Sequence, residues 1–328
     1  MPLAFVTGGT GFLGQHLVAR LGEEGWDVVA LHRPGADTRP LARPHVRLAA
    51  GRLTEAGEVR AAMPERPDAV FHVAGSTTLW RGHAAEQARV NVEGTRHVVD
   101  AALARGARRL VHTSSIAAFG TRAYRDRQFD ERTRSDAATH WITYLRTKWL
   151  GEQEVRRAAA AGLDVVLLNP ANVLGPGDRH NWSQLFALLV AGKLPGVPPG
   201  RGSWCDVREV ARAHVQAAAV GRPGENYLLG GVEASYAEVT AIAAELAGVR
   251  APRALPAVAM HAVGRVNQWA STFTRRPPDV TPEAAFLACG VGTVDSRKAE
   301  RDLGFRAMPL RPLVAETLDW MRGEGLLA

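Results

Sequence analysis

The amino-acid sequence predicts an α/β fold, a doubly wound parallel sheet with a smaller C-terminal lobe. Three observations carry this expectation. Short β-rich runs alternate with helix-period segments through the first half of the chain. The runs are nearly continuous in apolar residues, as strands covered on both faces must be. A glycine-rich turn, TGGTGFLG from Thr7 to Gly14, stands at the first strand-to-helix junction, which makes the sheet a candidate Rossmann fold.

The predicted strands are Leu3–Val6, Val28–Leu31, Val46–Ala49, Ala69–Ala74, Arg109–Thr113 and Asp164–Leu168. Between them Phe12–Glu24, Val90–Ala104 and Tyr144–Ala160 place apolar residues at helical spacing, and Gly25, Gly106 and Gly162 stand where a helix stop is wanted. After Pro170 the texture changes to GPGD and then LPGVPPGRGS, and regular alternation stops. Tyr227–Leu229 reads as one more strand. Ser235–Leu246, opening on a Ser-x-x-Glu capping box, and Pro256–Phe273 read as helices. The expected division is a dinucleotide-binding domain with the catalytic helix over residues 1–170 and a mainly substrate-binding lobe over 171–328, with one or more segments returning to the sheet.

Composition narrows the function. The 328 residues are 46% hydrophobic, enough for a large core. No apolar run reaches the roughly 20 residues of a membrane helix and no signal-peptide pattern opens the chain, so a cytoplasmic protein without membrane insertion is expected. Cys205 and Cys289 suit neither a disulfide framework nor a metal site, and the histidines show no paired-ligand spacing; no metal is expected. The net charge of +7 comes from arginines spread along the chain. Even the densest cluster, Arg122–Arg134, carries three acids and no aromatic platform, which argues against nucleic acid.

In the glycine loop, Gly8 permits a sharp turn, Gly11 removes a side chain where backbone must approach a ligand, and Gly14 permits close helix–strand packing. The helix start then offers free N–H groups to a pyrophosphate. The second strand ends in His32 and Arg33, with no acid until Asp37. A carboxylate there would repel a 2′-phosphate, whereas a guanidinium can clamp it, so NADP(H) is favoured and NAD(H) stays open; the plain alternative is that Arg33 is surface arginine.

Tyr144 and Lys148 lie four apart in a helical segment, hence on one face. An ammonium beside the phenol lowers its pKa and lets it pass a proton. Ser114 and Ser115 follow the Arg109–Thr113 strand, on the edge where open α/β sheets bind ligands, although such serines are often turn or helix caps.

TGGTGFLG, VFHVAG (Val70–Gly75), NVEGT (Asn91–Thr95), VHTSSIAAFG (Val111–Gly120), YLRTK (Tyr144–Lys148), NPANVLGPGD (Asn169–Asp178) and RKAERDLGF (Arg297–Phe305) together resemble the motif series of the extended short-chain dehydrogenase/reductases, the NAD-dependent epimerase/dehydratase superfamily. Leu79 and Trp80 after VFHVAG, with the RPG at Arg33, are similar to the dihydroflavonol-4-reductase-like and hopanoid-associated branch. The resemblance implies Tyr144 as general acid/base, Lys148 as its tuner and a ribose ligand, Ser115 as the group polarising the carbonyl, and Asn91 in support. It implies a cofactor cradle of Gly8, Thr10, Gly11, Phe12, Leu13, Gly14, Arg33, Arg52, Leu53, Ala74, Gly75, Thr113, Pro170 and Val173 beside the catalytic pair. Two departures stand out. Arg52 replaces an aspartate that often touches adenine, and Asn169 replaces the arginine many sugar-nucleotide members carry.

The expected reaction interconverts a small-molecule ketone or aldehyde and an alcohol by hydride transfer. The rivals are a sugar-nucleotide epimerase or dehydratase holding NAD tightly, and a non-catalytic dinucleotide sensor. Ser76, Trp80, Phe119, Trp141, Asn172 and Trp182 are candidates for an apolar substrate pocket, each also readable as core. For Pro256–Phe273, Arg265, Asn267 and Gln268 favour ordinary packing over an oligomer or membrane-surface contact. A homodimer is the default assembly for a soluble enzyme.

Overall fold

The computed structural model describes residues 1–125, 128–274 and 276–327. Asp126 and Arg127, within the Arg122–Arg134 cluster, lie outside the described residues. The strands are β1 (Leu3–Thr7), β2 (Asp27–His32), β3 (Val46–Ala50), β4 (Ala69–His72), β5 (Arg109–Thr113), β6 (Asp164–Pro170), β7 (Asn172–Leu174), β8 (Arg201–Asp206), β9 (Asn226–Leu229) and β10 (Val232–Ser235). The helices are α1 (Phe12–Glu23), α2 (Ala56–Ala62), α3 (Ala84–Ala88), α4 (Gly94–Ala104), α5 (Arg122–Arg125), α6 (Thr143–Ala160) and α7 (Trp182–Val190), then α8 (Val207–Val220), α9 (Tyr236–Ala247), α10 (Ala257–Thr274), α11 (Pro282–Ala288), α12 (Arg297–Leu303) and α13 (Leu310–Gly323).

Seven strands pair in the order β3-β2-β1-β4-β5-β6-β9, all parallel. The order reverses between β1 and β4, where Thr7 and His72 stand in register at the strands' C-terminal ends, so a ligand crevice opens there. One face is covered by α2, α4 and α6, over a core that includes Phe5, Val29, Val70, Leu110 and Leu167. On the other face α1 packs on α8, around Val6, Leu17, Phe71, Val111, Val210 and Tyr227.

The predicted strands and the helices predicted at Phe12–Glu24 and Tyr144–Ala160 are present within a residue or two at their ends. β4 stops at His72, two residues early, because Ala74 N–H turns to Thr7 Oγ1 (3.3 Å) instead of continuing the ladder. Gly25, Gly106 and Gly162 take positive φ at helix ends, as stops require. The segment Val90–Ala104 is not one α-helix: a π-helical turn over Arg89–Glu93 joins α3 to α4. In the second half Tyr227–Leu229 lies within β9 at the β6 edge of the main sheet, and α9 opens on the predicted Ser235/Glu238 capping box.

A second sheet, β10-β8-β7, went unpredicted, because strands of three to six residues such as RGSWCD show neither alternation nor an apolar run. It packs with α7, α9 and α13 around Trp204, Phe186, Val239 and Leu318. α10 departs from ordinary packing. Met260, Gly264 and Ser271 are buried on one stripe, while Val258, Val266, Trp269 and Phe273 are 80%, 63%, 67% and 71% exposed on the opposite one.

Candidate active site

The loop after β1 is shaped by its glycines. Gly8 has φ +75°, and a Cβ there would lie 2.6 Å from Ala74 N, so only glycine lets β1 and the β4 loop approach. A Cβ on Gly14 would overlap the Gly8 carbonyl oxygen, so α1 seats directly against the loop. Gly11 is the exposed N-cap of α1 in extended conformation, with no side-chain cap, and the nearest atom to a Cβ there is Gly8 O at 3.3 Å. The first-turn N–H groups are therefore left for a ligand, as a pyrophosphate site requires. Thr10, Phe12 and Leu13 are half-buried around this turn, and His16 ties α1 to the loop before α7, its Nε2 lying 2.7 Å from Pro176 O.

Arg33 is exposed just past β2 and has no ion pair among the described residues. Arg52 is exposed too, but its guanidinium and its N–H (2.6 Å) both engage the Glu58 carboxylate, which leaves Arg33 as the uncommitted cation of the two. Leu53 packs against the β2 side of the core, and its carbonyl lies 3.0 Å from His97 Nδ1. The uncapped helix start, the glycine cradle and a free guanidinium fit a nicotinamide dinucleotide.

On the other side of the crevice, α6 presents Tyr144 and Lys148 one turn apart. The Ser115 Oγ accepts from Ala117 N–H (3.2 Å), the turn-cap role the sequence allowed, and the same hydroxyl stands near enough to the Tyr144 phenol to favour its ionised form. Lys148 is buried and donates to the Thr113 carbonyl (3.0 Å). Burial pushes its ammonium down to about 8, against a favourable contribution from Glu152. A Cβ on Gly75 would stand 3.6 Å from Lys148 Nζ, so the exposed Gly75 keeps the approach to the ammonium open.

The phenol does not follow the expected downward shift. Desolvation pushes the Tyr144 phenol above its ordinary value, with the nearby Ser115 hydroxyl opposing it, and the Lys148 ammonium is turned to a backbone carbonyl.

Asn91 is buried in the π-helical turn with its amide fully used: Oδ1 accepts from Ser76 N–H (2.7 Å), and Nδ2 donates to Ser76 O (2.9 Å) and Thr147 Oγ1 (3.2 Å). It fixes the loop after β4, including Ala74, Gly75 and Ser76, against α6. Asn169 does the same on the far side. Its Nδ2 donates to Ser115 O (3.0 Å) and Glu152 Oε1 (2.7 Å), and its Oδ1 accepts from Asn226 Nδ2 (2.9 Å). This support was missed in the sequence, where Asn169 registers only as a departure from arginine.

Buried histidines form a second unpredicted layer. The nitrogens of His72 lie 2.8 Å from Thr7 Oγ1 and 2.9 Å from Thr95 Oγ1, and His214 Nε2 lies 2.7 Å from Thr113 Oγ1. Desolvation pushes His72 down to about 3 and His214 to about 4, so both are neutral supports. Only the embedding of these residues in apolar strand runs could have flagged them.

The candidate pocket residues divide. Trp80 lines a cleft with Thr78, Arg81, Tyr144 and Glu283 of α11, while Ser76, two residues before Thr78, is held by Asn91 and does not line it. Trp141 is 49% exposed and packs on His140 and Phe286. Phe119 is buried against Phe129 and faces a different cavity, of about 160 Å³, shared with Glu131, Glu152 and Arg156. Trp182 packs into the second core on Trp204 and Tyr236, and Asn172 donates to Ser203 O (3.0 Å). Pro170 ends β6 and half-buried Val173 packs on the main core. Tyr144 and Trp80 therefore share one cleft, with Lys148 and Ser115 near Tyr144, while Ser76 is taken up by the Asn91 clamp and Phe119, Trp182 and Asn172 belong to their own packing environments.

Residues 4–230 match the model of the NAD dependent epimerase/dehydratase family, and the chain belongs to that family, as an extended short-chain dehydrogenase/reductase. A Synechocystis sp. protein named as a candidate dihydroflavonol 4-reductase is 29% identical over 98% of this chain and 95% of its own length. Sterol demethylase protein B of Methylococcus capsulatus is 30% identical over 98% of this chain and 99% of its own length. Among solved structures, gox2253 superposes with a TM-score of 0.86 at 29% identity over the whole of both chains.

Proposed function

We propose that the protein is an NADP(H)-dependent carbonyl reductase/alcohol dehydrogenase acting on a small-molecule ketone or aldehyde. The observation that carries the reading is the half-buried Tyr144 beside Ser115, one helical turn from the buried Lys148 on α6, at the C-terminal edge of the sheet. Bound along that edge, the nicotinamide cofactor supplies the hydride for a carbonyl carbon or takes it back from the alcohol. Ser115 donates a hydrogen bond to the carbonyl oxygen, and Tyr144, whose burial keeps its proton on at neutral pH, delivers that proton to the same oxygen as charge develops there. Lys148, held by Thr113, places a cation behind the phenol and within reach of a ribose hydroxyl. Asn91 and Asn169 keep the two sides of the crevice in place. The pyrophosphate would rest on the N-terminus of α1, and the 2′-phosphate on Arg33.

Two variants test the reading. Tyr144→Phe should bind NADPH as the wild type does and lose turnover by about 10²–10⁴-fold in an assay of NADPH oxidation over a ketone and aldehyde panel. Arg33→Ala should weaken NADPH about 10- to 100-fold, the worth of a charged hydrogen-bonded contact, and leave NADH unchanged in a fluorescence titration. Equal or tighter NADH binding by the wild type, untouched by the mutation, would return the protein to the epimerase or dehydratase side of its family.

A further inference from the structure

α10 is a helix with its apolar side turned outward. Its buried stripe, Met260, Gly264 and Ser271, sits against α11, with Gly264 close enough that a Cβ would lie 3.1 Å from Pro282 Cα. Diametrically opposite, Val258, Val266, Trp269 and Phe273 recur at helical spacing, and the Trp269 and Phe273 rings meet edge to face with centroids 5.0 Å apart. A soluble helix normally carries charge on that side.

The charge in the sequence running into and out of this helix has one sign. Between Glu245 and Asp279 the sequence contains five arginines, Arg250, Arg253, Arg265, Arg275 and Arg276, and no acid. Of these, Arg250, Arg253, Arg265 and Arg276 are exposed and have no ion pair among the described residues. Aromatic and aliphatic residues outward with arginines at the margins are the composition of a helix lying in a lipid headgroup layer. A second copy is the poorer occupant, since a two-fold contact through α10 would set Arg265 and its neighbours against their own duplicates.

We propose that α10 docks the protein on an anionic membrane surface, Trp269 and Phe273 entering the headgroup region and the flanking arginines meeting lipid phosphates. The helix lies on the surface without spanning it, in keeping with the absence, among the described residues, of any helix long and apolar enough to cross a bilayer. α11, which α10 packs on, also carries Glu283 to the cleft at Tyr144. Resting on the reductase reading above, this placement suits carbonyl substrates dissolved in lipid.

The test is flotation of the purified full-length chain with phosphatidylcholine vesicles, with and without about 30 mol% phosphatidylglycerol. The wild type should bind the anionic vesicles at least about tenfold more tightly than the neutral ones and lose most of that preference in high salt. Trp269→Glu/Phe273→Glu should abolish binding, and Arg265→Gln/Arg276→Gln should weaken it severalfold while the aromatic pair is intact. Both should retain the wild-type melting temperature and NADPH affinity, since none of these residues lines the crevice. Equal binding to both vesicle types, binding indifferent to the variants, or no binding would overturn the proposal. So would sedimentation showing that the wild type self-associates through this face and that the glutamate variant is monomeric. The vesicle readout needs no turnover, so a failed reductase reading would show in the NADPH and carbonyl assays and leave this result standing.

Discussion

Lys148 answers to two demands that pull apart. The proposed reaction wants an ammonium beside the phenol, while its site strips that ammonium of water and offers chiefly the Thr113 carbonyl and the charge of Glu152 in exchange. A lysine whose folded pKa is about 8 against an unfolded value near 10.4 binds fewer protons folded than unfolded across that interval, so folding stability contributed by this group rises with pH from about 8 to about 10. Lys148→Met removes the buried charge and should be the more stable protein at pH 7, by up to about 3 kcal/mol at about 1.4 kcal/mol per tenfold change in proton affinity. The gap should shrink as pH rises toward 9.5. Urea unfolding of both proteins at the two pH values checks this, and a gap that stays constant or widens would refute it. The Tyr–Lys spacing and the serines after β5 were legible because each motif sits inside one element. The hydrogen-bonded supports were not: Asn169, Ser115, Glu152 and Asn226 come together from four places in the chain, and no local pattern encodes a contact of that kind.

At the scale of the element, the glycine loop separates two jobs that a motif alone leaves merged. Gly14 serves packing, because its Cβ would overlap the Gly8 carbonyl and come within 2.8 Å of Gly9 Cα, and neither backbone can yield without moving α1 off β1. Gly14→Ala should therefore cost about 1–3 kcal/mol of stability and dinucleotide binding with it. Gly11 is exposed, in a conformation any residue adopts, so Gly11→Ala should change stability by less than about 1 kcal/mol and still weaken NADPH by placing a methyl where the pyrophosphate approaches. Urea melts and NADPH titrations of the pair distinguish the roles; equal loss of stability in both would contradict the assignment. The capping box of α9 and the glycine stops were readable for a related reason, each being a short-range rule satisfied within four residues. The small sheet was not, since β7, β8 and β10 are defined by their partners rather than by their own sequences.

At the scale of the whole molecule, the chain returns to finish what its first half begins. The core beneath β1 and β4 contains Val6, Leu17, Leu21 and Phe71 from the first half, and Val210, Val215, Tyr227, Leu229 and Phe305 from the second. α8 covers α1, β9 extends the sheet past β6, and α12 packs on both β9 and α8. Arg109 on β5 pairs with Asp164 (2.6 Å) and donates to the Ala217 and Ala218 carbonyls at the end of α8, so removing the second half would strip this nearly buried cation of two of its partners. The composition change after Pro170 falls where the small β10-β8-β7 sheet begins, and the core of the main sheet runs on beyond it. We predict that a fragment of residues 1–170 does not fold alone, because it would expose the whole α8-facing layer of its sheet to water. Circular dichroism should show no cooperative thermal transition for the fragment, against one for the full chain. A fragment that melts cooperatively and binds NADPH would mean that the first half closes its own core, and that α8, β9 and α12 are additions to a finished domain.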